Sequence, residues 1–288
     1  MTEILIILGC VPLYVCNAMC DKTVSARIAE KYNAIYNCLK FVICAICIVS
    51  ILVLGKMATV GMGTFLCGIG CACMYAISKT VMLKGYEATS VAFMTLCHSA
   101  GMIVPCVLGH FLWKEKLSLL AALGIFLTVA AIVLLKDAKG ANRKLNVKGI
   151  FYGMVTLLTS AGVMVVQKCM GIYFPDESAG MYNLVAFAGA AVILCPLVKP
   201  VEFKKEARNV KKTIGVCALG SACSLSIISI VMTYLASSVP SVILFPLFNG
   251  TGIILVCVVS ALVFREKLTA KKIMGLLGGL VGLYMINL

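Results

Sequence analysis

Trp113 to Ser118 read WKEKLS, and Phe264 to Thr269 read FREKLT. Each motif stands between two long apolar segments, and the second follows the first at an offset of 151 residues. The same offset superposes Glu115 on Glu266, Gly124 on Gly275 and His98 on Asn249 without a gap. Agreement at one fixed spacing through three successive segments is the mark of an internal duplication.

Working outward, the chain divides into ten apolar segments at residues 4–20, 35–54, 60–83, 88–112, 118–135, 147–168, 179–198, 210–235, 239–263 and 269–288. Each is near the length a helix needs to cross a bilayer. The expected fold is therefore an all-α polytopic membrane protein with ten transmembrane helices. The polar linker DAKGANRKLN, from Asp137 to Asn146, divides it into five-helix repeats at 1–137 and 138–288. Five is odd, so the second repeat enters the bilayer from the opposite face and the repeats are inverted. Such a pair can open a central cavity first to one side and then to the other, which is the architecture of a carrier.

Composition agrees. The 288 residues are 62% hydrophobic and 12% charged, with a mean hydropathy of +1.07. One globular core cannot hide that apolar surface, whereas lipid can. The first segment lacks a preceding basic region and reads as a retained helix rather than a signal peptide. The formal charge of +14 is carried largely by loops and helix ends, which suits anionic head groups and membrane orientation rather than nucleic acid. Lys and Arg crowd the connections after odd-numbered segments, and the positive-inside rule would put those connections in the cytoplasm and both termini outside.

The 16 cysteines mostly lie within apolar segments, where they act as small hydrophobes. Cys71 and Cys73 have no sequence-near histidine and point to different sides of a helix, so no metal site is expected. No cofactor is expected either. The glycines form no phosphate loop, and no zincin, hydrolase-elbow or P-loop spacing occurs, so the chain does not read as an enzyme.

Polar residues inside the segments are the candidate site. His98, in TLCHSAGM, and Asn249, in FPLFNGTG, occupy matching positions of the two repeats. Either they contact substrate or they brace helices. Lys79, near the end of the third segment, either snorkels to head groups or turns inward, where it would favour an anionic or carboxylate-bearing substrate. Tyr75 with Ser78, and Ser226 with Ser229, are pairs three residues apart on one helix face. They can hydrogen-bond substrate, or the serines can bond their own backbone. Asn17, Gln167, Lys168, Tyr182 and Asn183 stand near segment ends as gate or rim candidates, with interfacial anchoring the alternative. No Asp or Glu is expected centrally. Glu115 and Glu266 sit at helix ends, where capping and charge pairing account for them. Pro246 is expected to kink the ninth segment and Pro105 to bend the fourth.

At WKEKLS and FREKLT, each followed by a glycine at Gly124 and Gly275, the chain resembles a ten-helix EamA-type member of the drug/metabolite transporter superfamily. The resemblance spans essentially the whole chain. It matches Glu115 and Glu266 to the family's helix-end glutamates and Pro246 to its penultimate-helix proline, while Thr95 stands where the duplicated proline would fall. It implies a central cavity between inverted halves, export of amino acids, metabolites or drugs, and termini in the cytoplasm, opposite to the charge count. Small four-helix relatives couple export to protons through a first-helix glutamate, whereas the first segment here has no interior glutamate.

The expected function is alternating-access transport, with export of small polar or amphipathic metabolites such as amino acids. The alternative is a non-transporting membrane scaffold or receptor. The expected partners are a small-molecule substrate, membrane lipids and, as a candidate coupling partner, a proton or another ion. The expected location is the cell membrane, with multiple passes.

Overall fold

The computed structural model describes residues 2–28, 32–55, 59–88, 91–135, 147–198, 208–263 and 270–286. Among them lie eleven α-helices and a short 3-10 turn at Cys195–Leu197. The helices are α1 (Thr2–Arg27), α2 (Asn33–Gly55), α3 (Met62–Ala88), α4 (Val91–Ala100), α5 (Ile103–Leu112), α6 (Leu119–Leu135), α7 (Val147–Tyr173), α8 (Ala179–Leu194), α9 (Arg208–Ser238), α10 (Ser241–Val263) and α11 (Ala270–Ile286). Helices prevail because lipid offers no partner to backbone N–H and C=O groups, and a helix satisfies them within one segment. Several hydroxyls in the apolar stretches are satisfied the same way. Thr80 donates to the Ala76 carbonyl, Thr128 to Gly124, Ser224 to Gly220 and Ser226 to Ala222.

All ten expected segments contain helix, and the fourth is divided into α4 and α5. The break falls at Gly101 and Met102, just before Pro105. Proline has no N–H to give the Gly101 carbonyl one turn back, and that carbonyl accepts from the Val104 amide instead, at 3.2 Å. The offset-related α10 runs unbroken through Pro246, so the two prolines act differently. Six helical stretches are long and apolar enough to cross a membrane: Thr2–Val24, Asn33–Gly55, Met62–Met82, Val147–Tyr173, Ala179–Leu197 and Arg208–Ser238. Four shorter apolar stretches lie at Cys97–Leu112, Leu119–Ala131, Ser241–Val256 and Ile273–Ile286.

The helices form two compact units, each drawing on both halves of the sequence. The first comprises Met1–Val15, Lys84–Val165 and Ser238–Leu288. Its tightest pairing is α6 with α11. Gly124 and Gly282 permit that approach: a Cβ on Gly124 would lie 2.7 Å from the Gly282 carbonyl oxygen, and one on Gly282 would lie 2.6 Å from Thr128 Oγ1. Small residues let membrane helices come this close.

The second unit comprises Cys16–Leu83 and Val166–Ser237. Here α2 packs along α8, with Phe41, Cys44, Ile48, Phe187, Ala190 and Ala222 in one core. Phe41 and Phe187 stack with centroids 5.7 Å apart. A second core joins Val24, Tyr32, Tyr36, Ile214 and Ala218. Glu177 closes the N-terminus of α3 by accepting from the amides of Gly63 and Thr64 and from the Thr64 hydroxyl. Carboxylates are favoured there because the first amides of a helix have no partner within it.

Candidate functional site

The second unit holds a charged cluster built from four helices. α1 continues to Arg27, past the boundary expected at residue 20, and so brings Asp21 inside the helix. This corrects the expected end of the first segment, and Asp21 lies near the end of the span rather than at its centre. Asn17 and Asp21 are four residues apart and share a face. Opposite them, Lys40 lies two turns into α2, about 10 Å from its start.

The Lys40 ammonium donates to Asn17 Oδ1 at 2.8 Å and to Asp21 Oδ1 and Oδ2 at 3.1 and 3.2 Å. The Tyr36 hydroxyl donates to Asp21 Oδ1 at 2.5 Å. From α9, the Ser221 hydroxyl donates to Asn17 Oδ1 at 2.5 Å and reaches Asp21 Oδ1 at 3.4 Å. The ammonium also stands 5.9 Å from the centroid of the Tyr36 ring, within cation–π range. Lys40 is sealed, with a side chain 2% exposed, whereas that of Asp21 is 36% exposed. The carboxylate is thus the open member of the pair.

Lys79 approaches from α3. It interacts electrostatically with both Asp21 and Lys40. Tyr75, one turn earlier on the same face, packs on Phe41 at 5.6 Å and on Phe187 at 5.4 Å. That packing sets the 75/79 face of α3 beside the 40/41 stretch of α2.

A second polar group lies in the same unit. Gln167 Nε2 and Asn183 Nδ2 both donate to Thr233 Oγ1, at 2.9 and 3.1 Å, and both reach the Ser229 carbonyl at 3.3 Å. Thr233 passes its own proton to that carbonyl at 2.7 Å, so its hydroxyl has no capacity left. The Tyr75 side chain lies near that of Ser229, and Tyr182 near Cys71.

Ten of the twelve residues singled out from sequence fall in this unit: Asn17, Tyr75, Ser78, Lys79, Gln167, Lys168, Tyr182, Asn183, Ser226 and Ser229. Gln167, Asn183, Ser229 and Tyr75 are brought together. Ser226 instead donates to the Ala222 and Cys44 carbonyls, and Ser78 and Lys168 are buried. His98 and Asn249 belong to the first unit. Asn249 Nδ2 donates to the Phe245 carbonyl one turn back at 2.9 Å, and the His98 carbonyl accepts from the Ser160 hydroxyl at 2.8 Å. Asp21, Tyr36, Lys40, Ser221 and Thr233 are the additions the structure makes. Their signal in sequence was a single lysine within an apolar segment and the four-residue spacing of Asn17 and Asp21.

Apolar helices of spanning length with a charged cluster among them define a multi-pass membrane protein with a polar site. Residues 147–288, the second half of the chain, match the model of the EamA-like transporter family. The chain belongs to the EamA-type transporters of the drug/metabolite transporter superfamily. None of the curated proteins matches it. One solved structure, described only as a crystal structure of a protein, is similar with a TM-score of 0.78 at 12% identity. That likeness covers 100% of this chain and 99% of the other, and at this identity it speaks for the fold alone.

Proposed function

We propose that the chain is an alternating-access carrier in the cell membrane that exports small polar or amphipathic metabolites such as amino acids, through ten crossings arranged as two inverted repeats. One observation carries the reading: the compact units follow the sequence offset. Moved by 151 residues, the segment Cys16–Leu83 becomes 167–234, within the other segment of its own unit, Val166–Ser237. Ala270–Ile286 moved back by the same amount coincides with α6, Leu119–Leu135. Each unit therefore draws offset-related segments from both halves of the sequence, which supports a duplicated carrier whose odd repeat inverts.

Substrate is proposed to contact the polar residues of the second unit, Tyr75, Lys79 and Ser229 among them; His98 and Asn249, in the first unit, are proposed separately as substrate contacts. Gln167, Lys168, Tyr182, Asn183 and Asn17 are proposed as rim or gate residues. A proton or another ion is proposed to drive net export.

The test is counterflow in proteoliposomes loaded with a mixed panel of amino acids and metabolites. Saturable exchange that weakens in Lys79→Gln, His98→Ala or Asn249→Ala supports the carrier. Absence of exchange across the panel, in protein shown to be folded, would favour a scaffold or receptor. Flux that follows an imposed pH gradient would identify the proton as coupling ion.

A further inference from the structure

We propose that the cluster of Asn17, Asp21, Lys40 and Lys79 is a binding site for a small monocarboxylate, with the carboxylate held by the Lys79 ammonium. The assignment deepens the carrier reading and rests on it for transport, though not for binding.

Asp21 supplies one negative charge to the cluster, and Lys40 and Lys79 supply two positive ones. Lys40 spends its three N–H donors on Asn17 and Asp21. Asp21 is taken up by Lys40, Tyr36 and Ser221. Lys79 is close enough to both to interact electrostatically, yet its ammonium makes no hydrogen bond among the described residues. An ammonium within a membrane span is costly unless something pairs with it, and such residues mark substrate or ion pathways. The cluster thus has one cation in excess and three unspent N–H donors on it. A carboxylate supplies one negative charge and two acceptor oxygens, which matches both. The neighbouring Asp21 disfavours a second negative charge, so inorganic phosphate fits less well.

The charge balance predicts an order among variants. Lys79→Gln removes the excess cation. Lys40→Gln frees Asp21 to capture Lys79, with the same result. Asp21→Asn raises the excess from one to two and strengthens anion binding. A lost charge-assisted contact weakens binding about tenfold or more.

The experiment uses the purified full chain in detergent and follows its melting temperature with lactate, benzoate and leucine, each against its own carboxamide, and with inorganic phosphate. The expected result is stabilisation by one or more carboxylates but not by the matching amide or by phosphate. Stabilisation should be lost in Lys79→Gln and Lys40→Gln, kept in Lys79→Arg and increased in Asp21→Asn. The Lys79→Arg protein guards against misfolding as an explanation. Carboxylates and amides acting alike, phosphate outperforming all carboxylates, or wild-type binding in Lys79→Gln would overturn the assignment. The same probes in counterflow separate the two readings. Carboxylate binding without exchange would sink the carrier and leave the site, whereas exchange indifferent to the carboxylate would sink the site and leave the carrier.

Discussion

Glu115 caps the helix that opens at Ser241: its Oε2 accepts from the Ser241 amide at 2.8 Å, and its Oε1 from the Ser241 hydroxyl at 3.3 Å. Lys114, in the left-handed region at φ 52°, turns the chain back after α5. The Glu115 amide then bonds to the Gly109 carbonyl at 3.1 Å. A residue of the first half of the sequence thereby satisfies an amide at the start of α10, in the second half. A Cβ at Gly109 would lie 2.4 Å from Glu115 Oε2 and would displace the carboxylate from this cap.

Glu115→Ala is expected to cost about 1 kcal/mol, the usual loss on removing a helix cap. Ser241→Ala should cost less, because the shorter bond goes to the backbone amide and survives the substitution. Thermal unfolding of the two purified variants in one detergent checks the order. Equal losses would mean that the hydroxyl bond, rather than the amide cap, carries the effect.

The close pairing of α6 with α11 makes a second prediction. A methyl group on Gly282 would lie 2.8 Å from the Gly124 carbonyl oxygen, a backbone atom that cannot rotate away. Gly282→Ala is expected to lower stability by about 1–3 kcal/mol from overpacking, outweighing a helix-propensity gain of at most about 1 kcal/mol. Gly70 offers the contrast, since a Cβ there meets nothing within 4 Å. Gly70→Ala should leave the melting temperature unchanged or raise it.

Helix content was legible in the sequence because lipid imposes both segment length and polarity. Lys79 was legible as a charge inside a segment. Its neighbours were harder to find. Hydropathy ended the first segment at residue 20, since Asp21 and Lys22 break the apolar run, yet the helix persists to Arg27. Asp21 is tolerated within it because Lys40 balances its charge and Tyr36 and Ser221 donate to it. None of these partnerships leaves a trace in local composition. Similarly, Gln167 and Asn183 were read as rim residues, whereas the structure joins them through Thr233, which lies within an apolar stretch of α9 and whose partners are set by packing.

Thr233 is the acceptor shared by both amides. Thr233→Val leaves the shape nearly unchanged but removes an acceptor from Gln167 and Asn183, at an expected cost of about 1–3 kcal/mol. Ser229→Ala should cost less, because those amides reach the Ser229 backbone carbonyl, which the substitution keeps. Denaturation of both variants tests the contrast, and a larger loss in Ser229→Ala would contradict the hydrogen-bond assignment.

Glu177 supplies a pH dependence outside the membrane spans. The Thr64 hydroxyl does most to hold its carboxyl below the ordinary glutamate value of 4.5, assisted by the amides of Thr64, Gly63 and Gly61 and opposed by partial desolvation. All of these donors prefer the charged carboxylate. A folded-state value below the unfolded one means that the cap stabilises the protein fully above about 4.5 and ceases to do so as the pH falls through the folded value. At neutral pH, Glu177→Gln should therefore melt below wild type, and the gap should close as the pH drops below 4.5. Melting curves of both proteins across that range, in a detergent that does not itself titrate there, provide the check. A gap that stayed constant into the acid range would show that the Glu177 charge contributes nothing to the α3 cap, leaving only hydrogen bonds that a glutamine cannot reproduce.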